Sequence, residues 1–302
     1  MRHFLSVSDL TADEFRAIIK RGSEFRQQFE AGVTQTLFPR TSLAMIFAKS
    51  STRTRVSFEA GIGQLGGHAL YLSPNDTQLG RGEPLEDTAR VLSQMVNLVM
   101  IRTFSHESLE RYCSASSIPV INGLTDLVHP CQLLADMQTY FTYRGDIKGK
   151  TVAWVGDGNN VCNSFINTAK LLDFNLRIAS PAGYGPDKDL LAKAGANIHL
   201  CNTPNEAVDG ADLVVTDVWA SMGQESEANK RTVAFADYRV TKAHMALADK
   251  DALFMHCLPA HRGEEVDADV IDGEQSVIWD EAGNRLHAQK ALMEFLLNQA
   301  SN

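Results

Sequence analysis

Leu43-Ala44-Met45-Ile46-Phe47 runs through Ala48-Lys49-Ser50 into Ser51-Thr52-Arg53-Thr54-Arg55. The first five residues form a continuous apolar run of strand length. The last five bring hydroxyl and guanidinium groups to the point where a helix can start. A helix N-terminus offers free backbone N–H groups and the positive end of its macrodipole. Ser and Thr add short hydrogen bonds, and Arg adds a planar fork matched to phosphate oxygens. The stretch therefore predicts a strand, a turn and a helix whose first residues receive an anion. Taken alone it reads equally well as an N-cap followed by a solvated Arg-Thr-Arg face.

Two later segments decide between these readings. His129-Pro130-Cys131-Gln132 precedes the helical run Leu133 to Met137, and His256-Cys257-Leu258-Pro259-Ala260-His261-Arg262 follows the apolar run Ala252 to Met255. Each is a polar cluster beside an apolar run. In a parallel α/β sheet the carboxyl ends of strands collect the functional loops, so such clusters can converge on one crevice.

The rest of the chain agrees with that architecture. Thr11 to Glu14 spells a capping box, and Phe15, Ile18, Ile19, Phe25 and Phe29 follow a helical period until Gly32. Strands are predicted at 43–47, 69–72, 98–101 and 119–121, alternating with helices over 54–65, 85–95 and 106–115. A helix over 131–143 ends near Gly145, and Thr151-Val152-Ala153-Trp154-Val155 opens a second series with strands at 176–179, 197–200, 212–216 and 252–256. Alternation of this kind predicts parallel βαβ units. At 302 residues the chain exceeds one comfortable core. The predicted fold is α/β with two lobes, each a mostly parallel sheet flanked by helices, and an active site in the cleft between them. The expected boundaries are 1–145 and 146–283, with a last helix over 284–302 returning to the first lobe.

Composition narrows the function. Hydrophobic residues make up 44% and charged residues 22%, as in an ordinary globular protein. A net charge of −9 speaks against non-specific nucleic-acid binding, so an anionic substrate must be drawn by a local cluster. No segment reads as a signal peptide or a bilayer span, which predicts a cytoplasmic protein with no membrane partner. Five cysteines without a C-x-x-C pair argue against a disulfide framework or a zinc site. Val155-Gly156-Asp157-Gly158-Asn159-Asn160 hints at a dinucleotide loop, but Val161 holds the third glycine position and the next strand ends in Ser180 instead of an acid. The glycines therefore read as a tight strand-to-helix turn, and an oxidoreductase is remote.

Ser51 to Arg55, His129 to Gln132, Asp217-Val218-Trp219-Ala220-Ser221-Met222-Gly223 and His256 to Pro259, in this order and spacing, resemble the ornithine carbamoyltransferases of the aspartate/ornithine carbamoyltransferase family. The resemblance runs over nearly the whole chain. It implies transfer of the carbamoyl group of carbamoyl phosphate to the δ-amine of L-ornithine, giving citrulline and phosphate in arginine biosynthesis. No cofactor or metal is implied. By the same resemblance Ser51, Thr52, Arg53, Thr54 and Arg285 hold the phosphate, and Arg102, His129 and Gln132 surround the carbamoyl end. Asp217 and Ser221 take the α-amino group of ornithine, while Asn160 and the backbone at Met222 take its carboxylate. Cys257 contacts the reacting groups and Leu258 offers its carbonyl. Gln78 reaches the carbamoyl phosphate of a neighbouring subunit, which implies a homotrimer or a multiple of trimers.

The residues support this chemistry in their own right. Arg102 stands at a strand end, and donors aimed at the oxygen of a tetrahedral intermediate are worth about 3–4 kcal/mol each. Plainer readings stand beside several of them. His129 caps a helix that opens with Pro130, Asp217 is a turn residue, and Arg285 is a solvated charge opening a terminal helix. Arg55 takes the plain reading, as an ion-pair partner of Glu59 four residues on. His256 does not serve as a base for Cys257, because adjacent strand residues point to opposite faces. Leu258-Pro259 is a candidate cis peptide. Ala48 stands where many members of the family carry an acid. Two alternatives remain: transfer to another amine, such as aspartate, N-acetylornithine or putrescine, and a non-catalytic anion-binding protein on the same fold.

Overall fold

The computed structural model describes residues 1–73, 82–220 and 227–300. Contacts divide the chain into two compact units, Met1–Gln138 with Gly283–Asn302 and Thr139–Ala282.

The first unit opens on helix α1 (Ala12–Glu30). Its capping box forms as the spacing predicts: Thr11 accepts from the Glu14 N–H while the Glu14 carboxylate accepts from the Thr11 N–H. Strands β1 (Ser42–Phe47), β2 (His68–Leu72), β3 (Leu98–Arg102) and β4 (Val120–Leu124) make one sheet in the order β2-β1-β3-β4, parallel throughout. Helices α2 (Thr52–Gln64), α3 (Leu85–Leu92) and α4 (His106–Ala115) supply the crossovers that parallel pairing requires. Ala44, Ile46, Val99 and Ile101 pack against Ala89, Leu109 and Tyr112. Leu43, Met45 and Met100 are buried as well. Burial on both faces is why these strands read as unbroken apolar runs. The register pairs Phe47 with Arg102, so the end of β3 lies level with the turn that leads into α2. Helix α5 (Pro130–Arg144) follows β4.

The second unit holds β5 (Thr151–Val155), β6 (Asn175–Ala179), β7 (Ile198–Cys201), β8 (Leu213–Thr216) and β9 (Leu253–His256) in the parallel order β7-β6-β5-β8-β9. Helix α6 (Asn160–Leu172) and the shorter α7 (Lys188–Ala192), α8 (Pro204–Val208), α9 (Ala228–Ala234), α10 (Lys242–Leu247) and α11 (Ala268–Ile271) complete it. Thr216 pairs with His256, so Asp217 and Cys257 leave neighbouring strands at the same level.

Helix α12 (Ile278–Ala300) starts before the position near 284 that the sequence suggests. Ile278 is buried in the core of the second unit, and the carboxylate of Glu281 accepts the His256 N–H. Those contacts outweigh the roughly 1 kcal/mol that an internal glycine, Gly283, costs a helix. Among the described residues no helix is long and apolar enough to cross a membrane.

Candidate active site

In the first unit Ser51 is the N-cap of α2, its hydroxyl accepting from the Thr54 N–H at 3.2 Å. The cap does not exclude an anion at the same place, because a capped helix start still points N–H groups and its dipole outward. Thr52 and Arg53 form the first turn. The buried Thr54 hydroxyl accepts from Arg102 Nη1 at 3.4 Å and from Arg285 Nη2 at 3.3 Å. Arg285 Nη1 donates to Gln132 Oε1 at 2.6 Å, and Gln132 Nε2 donates to Asp136 Oδ1 at 2.8 Å. Arg285 is only 3% exposed. The reading of it as a solvated charge is therefore corrected: α12 carries it into the first unit, where it meets residues far away in sequence.

His129 is buried at the start of α5. Burial holds its imidazole well below the usual histidine range, and the guanidinium groups of Arg285, Arg102 and Arg53 push it further the same way. The ring is neutral near pH 7, with one N–H to donate. Guanidinium groups gathered around one buried hydroxyl repel one another, and a bound anion relieves that repulsion. Arg55 faces elsewhere, paired with Glu59 at 3.1 Å and stacked 4.1 Å from the Tyr71 ring centre.

In the second unit the glycine-rich turn after β5 is shaped for close approach. Gly156 has φ +132°, and a Cβ on Gly158 would fall 2.1 Å from the Pro186 nitrogen. Asn159 caps α6, its Oδ1 accepting the N–H groups of Val161 and Cys162, and its Nδ2 donates to Asp217 Oδ2 at 2.6 Å. Asn160 is the first residue of α6. Asp217 Oδ1 accepts the Val218 N–H at 2.8 Å and the Cys257 thiol at 3.1 Å.

His256 turns to other partners. Its Nδ1 accepts the Leu258 N–H at 2.9 Å, and its Nε2 lies 3.1 Å from Glu265 Oε1. That carboxylate oxygen also accepts the His261 N–H at 2.6 Å. Leu258 has φ +57°, and the Leu258-Pro259 peptide is cis, as the motif suggests. Asp217, His256 and Cys257 each bring one ligand atom within 4.8 Å of the others, a set that could hold a metal ion. Each of the three side chains is also engaged in hydrogen bonds.

Sequence reasoning passed over several supporting residues. Asn159 looks like turn filler beside Asn160, yet it braces Asp217. Asp157 accepts from Arg231 Nη1 at 3.0 Å, and the same nitrogen donates to the Trp219 carbonyl at 2.7 Å. Burial pushes the Asp157 carboxyl up to about 6 against the pull of Arg231, and the charge of Asp217 adds to the rise. Asn159 had one legible signal, an Asn immediately before a helix; Arg231 and Glu265 had none. Gln78, Ser221 and Met222 lie outside the described residues.

The chain is thus a two-unit parallel α/β protein, one unit offering hydroxyl, guanidinium and N–H groups at a helix start and the other a braced carboxylate and thiol at its strand ends. Residues 2–142 match the family described as aspartate/ornithine carbamoyltransferase, carbamoyl-P binding domain, and residues 148–296 match its Asp/Orn binding domain. An ornithine carbamoyltransferase from Nitrosococcus oceani is 62% identical over 295 residues, covering 98% of this chain and 97% of that protein. The crystal structure of ornithine carbamoyltransferase from Burkholderia thailandensis superposes with a TM-score of 0.92 at 53% identity, covering 98% of this chain and 99% of that one. That of the anabolic ornithine carbamoyltransferase from Campylobacter jejuni gives 0.92 at 41% identity, covering 99% and 100%. The chain belongs to the aspartate/ornithine carbamoyltransferase family.

Proposed function

We infer that this protein transfers the carbamoyl group of carbamoyl phosphate to the δ-amine of L-ornithine, releasing L-citrulline and phosphate. The observation that carries the reading is the convergence of Arg102 and Arg285 on the Thr54 hydroxyl at the start of α2, beside a neutral buried His129. In this reading 1–145, with the returning helix over 284–302, binds carbamoyl phosphate, and 146–283 binds ornithine. Ser51, Thr52, Arg53, Thr54 and Arg285 hold the phosphate, whose negative charge grows as the C–O bond breaks. Arg102, His129 and Gln132 act on the carbamoyl group. A neutral imidazole suits this task, because it donates a hydrogen bond to the carbonyl oxygen without adding a fourth positive charge.

The ornithine nitrogen attacks the carbonyl carbon as a neutral amine. A C–N bond forms, the C–O bond to phosphate breaks, and the nitrogen releases a proton. Asp217 receives the α-amino group with Ser221, and Asn160 and the Met222 backbone receive the carboxylate. Cys257 and the Leu258 carbonyl attend the reacting end. A carboxylate fixed by Asn159, Val218 and Cys257 is a preorganised partner for an ammonium group. Binding both an amino and a carboxylate group selects a free amino acid, which favours ornithine over putrescine or an N-acetylated acceptor.

Assembly as a homotrimer, or a multiple of trimers, belongs to the same proposal, with Gln78 completing a neighbour's site. It is supported by edge strand β2, which leaves Leu70 and Tyr71 exposed, and by exposed Val56. An unpaired apolar edge of this kind needs cover. Similarity to an anabolic enzyme supports a place in arginine biosynthesis, and five free thiols suit the reducing cytoplasm. The decisive experiment is product formation with a panel of acceptors: ornithine, aspartate, N-acetylornithine and putrescine. Citrulline from ornithine alone is the expected result. A faster reaction with another amine, or no transfer at all, overturns the reading.

A further inference from the structure

Helix α1 carries a glycine, Gly22, in its interior, where a glycine costs helix stability and needs a reason. The reason lies across the interface. A Cβ on Gly22 would fall 2.3 Å from Gln138 Oε1 and 3.2 Å from the Cα of Ala288. The glycine thus makes room for the Gln138 amide, which is fully buried. Gln138 Nε2 donates to Asn284 Oδ1 at 3.1 Å, and Arg26 Nη1 of α1 donates to the same oxygen at 3.2 Å. Asn284 is fully buried and immediately precedes Arg285 on α12. Three helices, α1, α5 and α12, are therefore locked through one amide oxygen next to the guanidinium group that reaches Thr54 and Gln132.

We propose that Gln138, seated against Gly22, is a positioning residue for carbamoyl phosphate: by fixing Asn284 it sets the rotation and height of α12 that deliver Arg285 to the anion site. The proposal rests on the reading of that site as the phosphate-binding one. The link from Gln138 to the anion site runs through Asn284, whose neighbour on α12 is Arg285. Helix α12 also packs on α2 at Gly61, where a Cβ would lie 3.2 Å from the Met293 side chain and 3.3 Å from that of Lys290. Arg26 alone does not fix α12 as firmly, because it is a long, partly exposed side chain also paired with Glu30.

The test uses the full-length enzyme with Gln138→Leu, which keeps much of the side-chain volume but removes the donor. Carbamoyl phosphate and inorganic phosphate binding are measured by calorimetry, with KM for both substrates and kcat alongside. The expected result is a five- to twentyfold loss of carbamoyl phosphate and phosphate affinity with a parallel rise in its KM, while KM for ornithine stays within twofold. In an Arg285→Ala background the same substitution should change carbamoyl phosphate KM by less than twofold, because the residue it positions is gone. Gly22→Ala, which intrudes on the same amide from the opposite side, serves if Gln138→Leu folds poorly, and it should show the same KM pattern. Loss of thermal stability or kcat with unchanged carbamoyl phosphate affinity overturns the proposal, as does an undiminished effect in the Arg285→Ala background. Wild-type enzyme that binds no carbamoyl phosphate is a separate outcome, which overturns the functional reading beneath it.

Discussion

Arg285→Lys isolates what the guanidinium fork contributes beyond its charge. Arg285 is almost fully buried, with one terminal nitrogen on Gln132 at 2.6 Å and the other on Thr54 at 3.3 Å. An ammonium group keeps the positive charge but cannot serve two acceptors in a plane and present a second N–H to a phosphate oxygen. One charge-assisted hydrogen bond is therefore missing from the bound state. Such bonds are worth about 1.5–3 kcal/mol. The lower half of that range applies, because the free enzyme also loses its contact with Thr54 and part of the cost cancels. A net loss of about 1.5–2 kcal/mol corresponds to roughly 10- to 30-fold at about 1.4 kcal/mol per decade. Steady-state kinetics with carbamoyl phosphate varied at saturating ornithine should show this loss in kcat/KM. Part of it should fall on kcat, because the contact strengthens as the leaving phosphate gains charge. Calorimetric phosphate binding should weaken in parallel, and circular dichroism should be unchanged. A folded Lys variant with wild-type kcat and KM would show that Arg285 is a structural cation and that the phosphate is held elsewhere.

Three further outcomes are expected. The Asp157 carboxyl, raised by burial to about 6 from its ordinary 3.8, binds its proton more tightly in the folded chain, so its contribution is greatest below about pH 4 and is lost as pH rises through about 6. Thermal melts of wild type and Asp157→Asn should therefore diverge across pH 4–6, wild type losing ground as pH rises, and a pH-independent difference in Tm refutes the assignment. Cys257→Ser should keep part of its activity, because a hydroxyl can also donate to Asp217; a carbamoyl-cysteine adduct trapped during turnover by mass spectrometry contradicts this. Inactive Gln78→Ala and Arg102→Ala chains, refolded together, should recover activity through mixed trimers that contain one intact site, and hybrids that show only the sum of their parents count against a shared site.

The order of strands and helices was readable because each local signal had a local cause. The Thr11-to-Glu14 capping box, the apolar runs of β1, β3, β5 and β8, and the Ser51 cap each involve neighbours in sequence, and the structure contains them all. Arg55 with Glu59, four apart on one helix, was legible for the same reason. The strand-end positions of Arg102, Asp217 and Cys257 also followed, because a parallel strand carries its next residue to the same edge of the sheet. The start of α12 did not, since only the core around Ile278 and the Glu281 contact to β9 extend that helix backwards across Gly283.

Local sequence signals therefore specify the elements and the chemistry offered at their ends: hydroxyls, guanidinium groups and N–H groups at the start of α2, and a carboxylate and a thiol beyond β8 and β9. Which of those groups meet, and which are braced, depends on long-range packing. Arg285 approaches Thr54 from 231 residues away. Glu265 turns His256 into a loop brace, and Gln138 holds Asn284 from 146 residues away. The physical reason is that helical and strand periodicities report only which face of an element is buried. The partner of a buried polar group is set by the packing of distant helices, and no local periodicity encodes that.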